Sequence, residues 1–164
     1  VASQPILMGR TASHQAPSGR ESSQVMGEMY TERLLDHYRH PRNKGHLQES
    51  DAMGRVLAAR EYNPLCGDEV TIEAVIDQER VAEVRFHGRG CALCMGAASI
   101  LTEAVQGRCL DELALYGQDE YLAELGATIR PARLKCALLP WMAFRHAVFG
   151  EGEESLLDQN EGSL

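Results

Sequence analysis

This sequence predicts an α+β fold with a small three-stranded antiparallel sheet packed against helices. Three observations carry the prediction. The stretches 70–77 and 81–87 alternate apolar and polar residues with the period of half-buried strands, and a short polar turn joins them. Downstream, the apolar residues recur at helical spacing. Strands and helices are therefore segregated along the chain, in the order α-β-β-β-α-α-α, which is the α+β pattern.

Residues 1–28 are rich in Ser, Gln and Gly, lack a sustained apolar period, and are expected to be a disordered extension. A first helix is predicted over 29–40 from Tyr30, Leu34, Leu35 and Tyr38, and Pro41 stops it. A short apolar run at 55–59 predicts the first strand. Asn63-Pro64 and Cys66-Gly67-Asp68 mark a turn. Val70, Ile72, Ala74 and Ile76 then face one side of the second strand, and 77–80 is a hairpin turn. The third strand, 81–87, turns Val84 and Phe86 inward.

Gly88-Arg89-Gly90 ends that strand. A helix follows from 91 or 92 to 106, closed by Gly107. Two short helical pieces are predicted at 110–116 and 121–125. The last helix is predicted from about 136 to 149, with Leu139, Met142, Ala143, His146 and Phe149 as its inner stripe. Pro140 is expected in its first turn, where proline is tolerated. Residues 151–164 carry five acids and no base, and are read as a flexible tail.

With 164 residues the chain fits one domain, placed at 29–150, large enough to bury a core without disulfides. No apolar run approaches the roughly 20 residues of a membrane helix. The first residues lack the apolar segment of a signal peptide. The net charge of −8 argues against nucleic acid as a partner, which would call for a basic face. Five cysteines, an odd number without a secretion signal, suggest reduced thiols in a cytoplasm.

Those cysteines carry the chemistry. Cys66 stands in a turn flanked by proline and glycine, Cys91 follows Gly90 at the start of a helix, and Cys136 is expected just ahead of the last helix. Helix N-termini favour thiolates through their positive partial charge and unpaired N–H groups. Glycines 67, 88 and 90 are expected to let backbone donors approach a sulfur or an ion closely. The reading is that folding gathers Cys66, Asp68, Cys91 and Cys136 into one metal pocket. Three thiolates and a carboxylate suit tetrahedral zinc or iron. Asp68 is equally readable as an ordinary turn residue.

Cys109 reads as a small buried hydrophobe. Cys91 and Cys94 form a CxxC pair at a strand-to-helix junction, a weak redox signal without alternating βαβ units. His37, His40, His46, His87 and His146 show no metal-ligand spacing among themselves. His87 could face the cysteine pocket, but a plain strand-end histidine is the better reading.

Four segments taken in order resemble one family: YTERLLDHYRHPRNKG, NPLCGD, FHGRGCALCMGAAS and PARLKCALLPW. They resemble the U-type iron–sulfur cluster assembly scaffolds, the IscU/SufU group with the N-terminal part of NifU, over roughly 30–150. The resemblance places the family's ligands on Cys66, Asp68, Cys91 and Cys136. It implies a [2Fe–2S] cluster built in the pocket, or Zn2+ resting there. It also implies persulfide sulfur from a cysteine desulfurase, with Cys136 the candidate acceptor, and delivery of clusters to apo iron–sulfur proteins.

Lys135 stands where IscU proteins carry His, as in SufU, whereas the 45 positions from Cys91 to Cys136 match IscU spacing. Three functions are therefore expected in descending order. They are a non-enzymatic cluster scaffold; a zinc-dependent sulfurtransferase that activates its desulfurase; and a CxxC thiol–disulfide oxidoreductase. A homo-oligomer is left open.

Overall fold

The computed structural model describes residues 30–48 and 53–150. The predicted extension at 1–28, the tail at 151–164 and the start of the first helix at Met29 lie outside these residues.

The order is helix α1 (Glu32–Arg39), strands β1 (Arg55–Asn63), β2 (Asp68–Asp77) and β3 (Arg80–Arg89), then helices α2 (Ala92–Val105), α3 (Leu110–Leu115), α4 (Gln118–Leu125) and α5 (Leu134–Phe149). A 3-10 turn, Pro131–Arg133, leads into α5. The strands form one antiparallel sheet in the order β1-β2-β3. The α+β expectation therefore stands, with its three-stranded meander.

β2 is the centre of the sheet, and its strict alternation sets the register. Val70, Ile72, Ala74 and Ile76 are buried, and Val81, Val84 and Phe86 of β3 join them on the same face. Helices α2 and α5 cover that face. The opposite face carries Glu69, Thr71, Glu73, Arg85 and His87, so one side is core and the other polar, as antiparallel sheets allow. The two-residue hairpin at Gln78-Glu79 has both residues left-handed, φ 48° and 57°, the twist that closes a tight antiparallel pair.

Several boundaries differ from expectation. β1 continues beyond residue 59 to Asn63, pairing Glu61 with Val70 and Asn63 with Asp68. Its sequence there is polar because it is an edge strand, and β2 supplies the pairing that its own pattern does not announce. α4 starts at Gln118 rather than 121.

In α1 the buried face is Leu34, Leu35 and His37, whereas Tyr38 is exposed. His37 Nδ1 lies 2.8 Å from Ser99 Oγ on α2, and the same oxygen accepts the Arg42 N–H at 2.8 Å. Gly96 lets the two helices meet closely, because a Cβ there would sit 2.8 Å from the Leu34 carbonyl oxygen.

α5 begins two residues before Cys136. Pro140 is consequently inside the helix, not in its first turn, and removes the N–H that would bond the Cys136 carbonyl. The inner stripe is also shifted from the predicted one. Leu139 and Ala143 are buried as expected, together with Cys136, Ala137, Leu138, Pro140, Phe144, Ala147 and Val148, whereas Met142 and His146 are half-buried and Phe149 lies at the surface. Beside the proline, the buried Tyr121 hydroxyl donates to the Ala137 carbonyl at 2.7 Å.

Candidate metal centre

Three chain segments converge at one end of the sheet. The first is the turn between β1 and β2. Asn63, buried where β1 ends, builds it: its carbonyl accepts the Gly67 N–H at 2.8 Å, and its side-chain oxygen accepts the Leu65 N–H at 3.1 Å. Gly67 takes the left-handed φ of 74° that the tight turn demands. The turn presents the exposed Cys66 and sends Asp68, 3% exposed, inward at the start of β2.

The second segment is the junction of β3 and α2. Cys91 is the N-cap of α2 in extended conformation. Asp68 holds it: Oδ1 accepts the Cys91 N–H at 3.1 Å, and Oδ2 lies 3.5 Å from Cys91 Sγ. A Cβ on Gly90 would stand 3.1 Å from that carboxylate, so glycine here makes room for Asp68. Gly88, by contrast, serves the sheet: at φ 145° it meets the backbone of β2, and a Cβ would sit 2.1 Å from the Glu69 carbonyl oxygen.

The third segment is the first turn of α5. Cys136 is buried, with Sγ 3.6 Å from Cys66 Sγ. Ligand atoms of Cys66, Asp68 and Cys136 all lie within 4.8 Å of one another, and Cys91 is tied to the group through Asp68. The structure thus brings together all four residues singled out from the sequence.

The expected electrostatics of Cys136 needs correction. It lies within the helix rather than ahead of it, and burial pushes its thiol up, reinforced by hydrogen bonds with Asp68 and Cys66 and by the nearby Cys91. Cys136 is therefore held as a thiol in this arrangement. A metal would displace the proton, as thiolate ligation requires. Three sulfurs and one carboxylate, drawn from a tight turn and two helix starts, fit zinc or iron in a tetrahedral or cluster setting.

Arg133, the N-cap of α5, stands beside the pocket and had no signal in the sequence pattern. Its pKa is pushed up by Tyr30 first, then by Cys91, with Cys136 hydrogen-bonded to it as well.

Cys94 is fully buried in the core, and burial pushes its thiol up too, so the CxxC pair holds an inert partner for Cys91. Cys109 caps α3, half-buried, and pairs with Arg80 through a backbone bridge. His87 turns away from the pocket to Glu73 on the polar face of the sheet.

Known proteins are similar to this chain in sequence and fold. The profile of the NifU-like N terminal domain matches residues 29–151. The zinc-dependent sulfurtransferase SufU of Bacillus subtilis (strain 168) is 32% identical over 141 residues, 75% of this chain and 91% of that protein. The iron–sulfur cluster assembly scaffold protein IscU of Escherichia coli (strain K12) is 30% identical over 120 residues, 73% of this chain and 91% of that one. The crystal structure of a nitrogen-fixing NifU-like protein (N-terminal) from Brucella abortus superposes with a TM-score of 0.60. It covers 77% of this chain and 96% of its own at 21% identity, a likeness of fold. Profile, relatives and fold agree with the cysteine motifs: the chain belongs to the NifU-like N-terminal domain family, the IscU/SufU group of iron–sulfur cluster assembly proteins.

Proposed function

We propose that this protein is an assembly scaffold, on which a [2Fe–2S] cluster is built as cargo and then passed to apo iron–sulfur proteins. The observation that carries the reading is the convergence of Cys66, Asp68 and Cys136 within 4.8 Å, with Cys91 joined through Asp68. These four residues would be the cluster's ligands. Three are soft sulfurs that hold iron firmly, and the fourth is a harder carboxylate that exchanges more readily. Such a set suits a site that must release what it binds.

Sulfur would arrive as the persulfide of a cysteine desulfurase. Cys136 is the acceptor in this reading. Its sulfur attacks the outer sulfur of the donor persulfide, a new S–S bond forms, and the donor cysteine leaves as its thiolate. The Cys136 proton has the Asp68 carboxylate beside it as an acceptor, and Arg133 offers charge for the resulting persulfide. Because Cys136 is buried behind the exposed Cys66, delivery requires this end of the molecule to open toward the donor.

A second reading places zinc on the same four residues and makes sulfur acceptance the whole task. The name of the Bacillus subtilis relative and Lys135 ahead of Cys136 favour it. Anaerobic reconstitution with ferrous iron, cysteine and a cysteine desulfurase separates the two. The scaffold reading expects iron and acid-labile sulfide in the ratio of a [2Fe–2S] cluster, with its visible absorption, and transfer to an apo-ferredoxin. Protein that retains zinc, accepts sulfur and never develops the chromophore would establish the second reading in its place.

A further inference from the structure

On the polar face of the sheet, away from the four residues above, lies another set of metal-ligating side chains. Glu73 projects from β2 and His87 from β3. Thr71 pairs with His87 and Glu73 with Arg85, so His87 and Glu73 are diagonal neighbours. His87 Nε2 lies 3.1 Å from Glu73 Oε1. His46 comes from the segment between α1 and β1, and its Nδ1 lies 3.0 Å from the same oxygen. The three ligand atoms are within 4.8 Å of one another.

The backbone holds this arrangement. The segment carrying His46 runs alongside β3: Phe86 N–H donates to the Asn43 carbonyl at 2.9 Å, and Gly45 N–H donates to the Phe86 carbonyl at 2.8 Å. One residue beyond His46, the Leu47 N–H donates to Glu73 Oε2 at 2.8 Å. That bond orients the carboxylate and leaves Oε1 toward the two rings, as supporting hydrogen bonds do for metal-bound carboxylates. His46 is flanked by fixed backbone on both sides, and His87 and Glu73 are half-buried on adjacent strands.

We propose that His46, Glu73 and His87 form a second metal site, for a divalent first-row transition cation such as zinc or ferrous iron. Two imidazoles and a carboxylate with open positions are a ligand set both ions accept. Bonds of about 2 Å at tetrahedral angles place ligand atoms roughly 3.3 Å apart, close to the separations observed. The rings now lie tilted by 36° with centroids 3.9 Å apart, and two imidazoles radiating from one ion need about 5 Å. His46, at 68% side-chain exposure, has room to swing outward by that amount. The site is independent of the cysteine pocket, since it shares no residue with it.

Zinc titration of the metal-free full chain, side by side with His46→Ala, tests this. The expected result is one zinc equivalent fewer per chain in the variant, whatever number the cysteine pocket takes. The ring resonances of both His46 and His87 should shift with that equivalent in the wild type. His87→Gln should lose the same equivalent, so a folding defect in one variant does not decide the outcome. Equal zinc stoichiometry in wild type and both variants, with unmoved ring resonances, would overturn the proposal and leave the trio as a hydrogen-bonded clamp on the sheet.

Discussion

At the scale of single residues, Asp68 has the most chemistry to answer for. It caps the Cys91 amide, touches the Cys91 sulfur and lies within reach of Cys66 and Cys136. As a labile ligand, its replacement in Asp68→Ala should lengthen the lifetime of a bound cluster and slow its transfer. On a zinc-loaded pocket the same change should weaken zinc binding. As a cap alone, it would cost about 1 kcal/mol of stability and leave the metal untouched. Cluster lifetime and zinc affinity, measured together, distinguish these outcomes. Cys66→Ser, Cys91→Ser and Cys136→Ser should each impair metal binding, since one lost thiolate opens the ligand set. Cys109→Ser, at the start of α3, should be nearly silent. Metal content after equilibrium dialysis checks the series, and a silent Cys136→Ser would contradict the assignment.

At the scale of elements, two joints support the pocket. Gly88 lets β3 lie against β2 just before the chain turns into Cys91. Gly88→Ala would force a Cβ to 2.1 Å from the Glu69 carbonyl oxygen at a φ of 145°, and should destabilise by about 2–4 kcal/mol in urea unfolding. An unchanged midpoint would mean that the strand end does not need this approach. The joint between α1 and α2 depends on a neutral His37. Burial lowers its pKa below 6.5, and Arg42 and Arg33 act in the same direction against Glu103 and Asp36. The unfolded chain therefore binds a proton more readily than the folded one, and stability falls as pH drops below about 6.5. His37→Gln should flatten the stability profile between pH 7.5 and 5.5, a window above the ordinary range of carboxylates. Denaturant unfolding at both pH values checks it.

The same elements indicate how far the sequence could be read. β2, β3 and α2 were legible because strong alternation or helical spacing coincides with their burial. β1 was legible only in part, since its last four residues owe their strand to pairing with β2. The start of α5 was misread because Pro140 suggested a helix start that the 3-10 turn at Pro131–Arg133 supplies earlier, and only Leu139 and Ala143 of its expected inner stripe are buried. The four pocket residues were legible from their motifs. Arg133 was not, because its role comes from where the chain folds. The trio of His46, Glu73 and His87 was equally hidden, because the sheet register and one crossing loop bring together residues with no motif spacing.

At the scale of the whole molecule, the pocket ties the β1–β2 turn, the β3–α2 junction and the start of α5 into one unit. Metal binding there should stabilise the fold. Zinc at one hundred times its Kd contributes about 2.7 kcal/mol, a rise in Tm on the order of 10 °C for a domain of this size. Thermal unfolding of metal-free and zinc-loaded protein checks this, with hydrogen exchange slowing around Cys66, Cys91 and Cys136. Removal of residues 1–28 should leave fold and metal content intact, because they carry no apolar period with which to dock. A truncated chain that fails to fold would place a missing element there.

The central claim is that Cys66, Asp68, Cys91 and Cys136 together hold a transferable [2Fe–2S] cluster. The most direct measurement is anaerobic reconstitution of the full chain with ferrous iron and desulfurase-derived sulfur, followed by addition of an apo-ferredoxin. The account predicts a visible [2Fe–2S] spectrum that is lost from this protein as it appears on the ferredoxin, and that never forms in Cys136→Ser. A wild-type chain that binds no iron and sulfide under these conditions, or a cluster that forms equally well in Cys136→Ser, would contradict it.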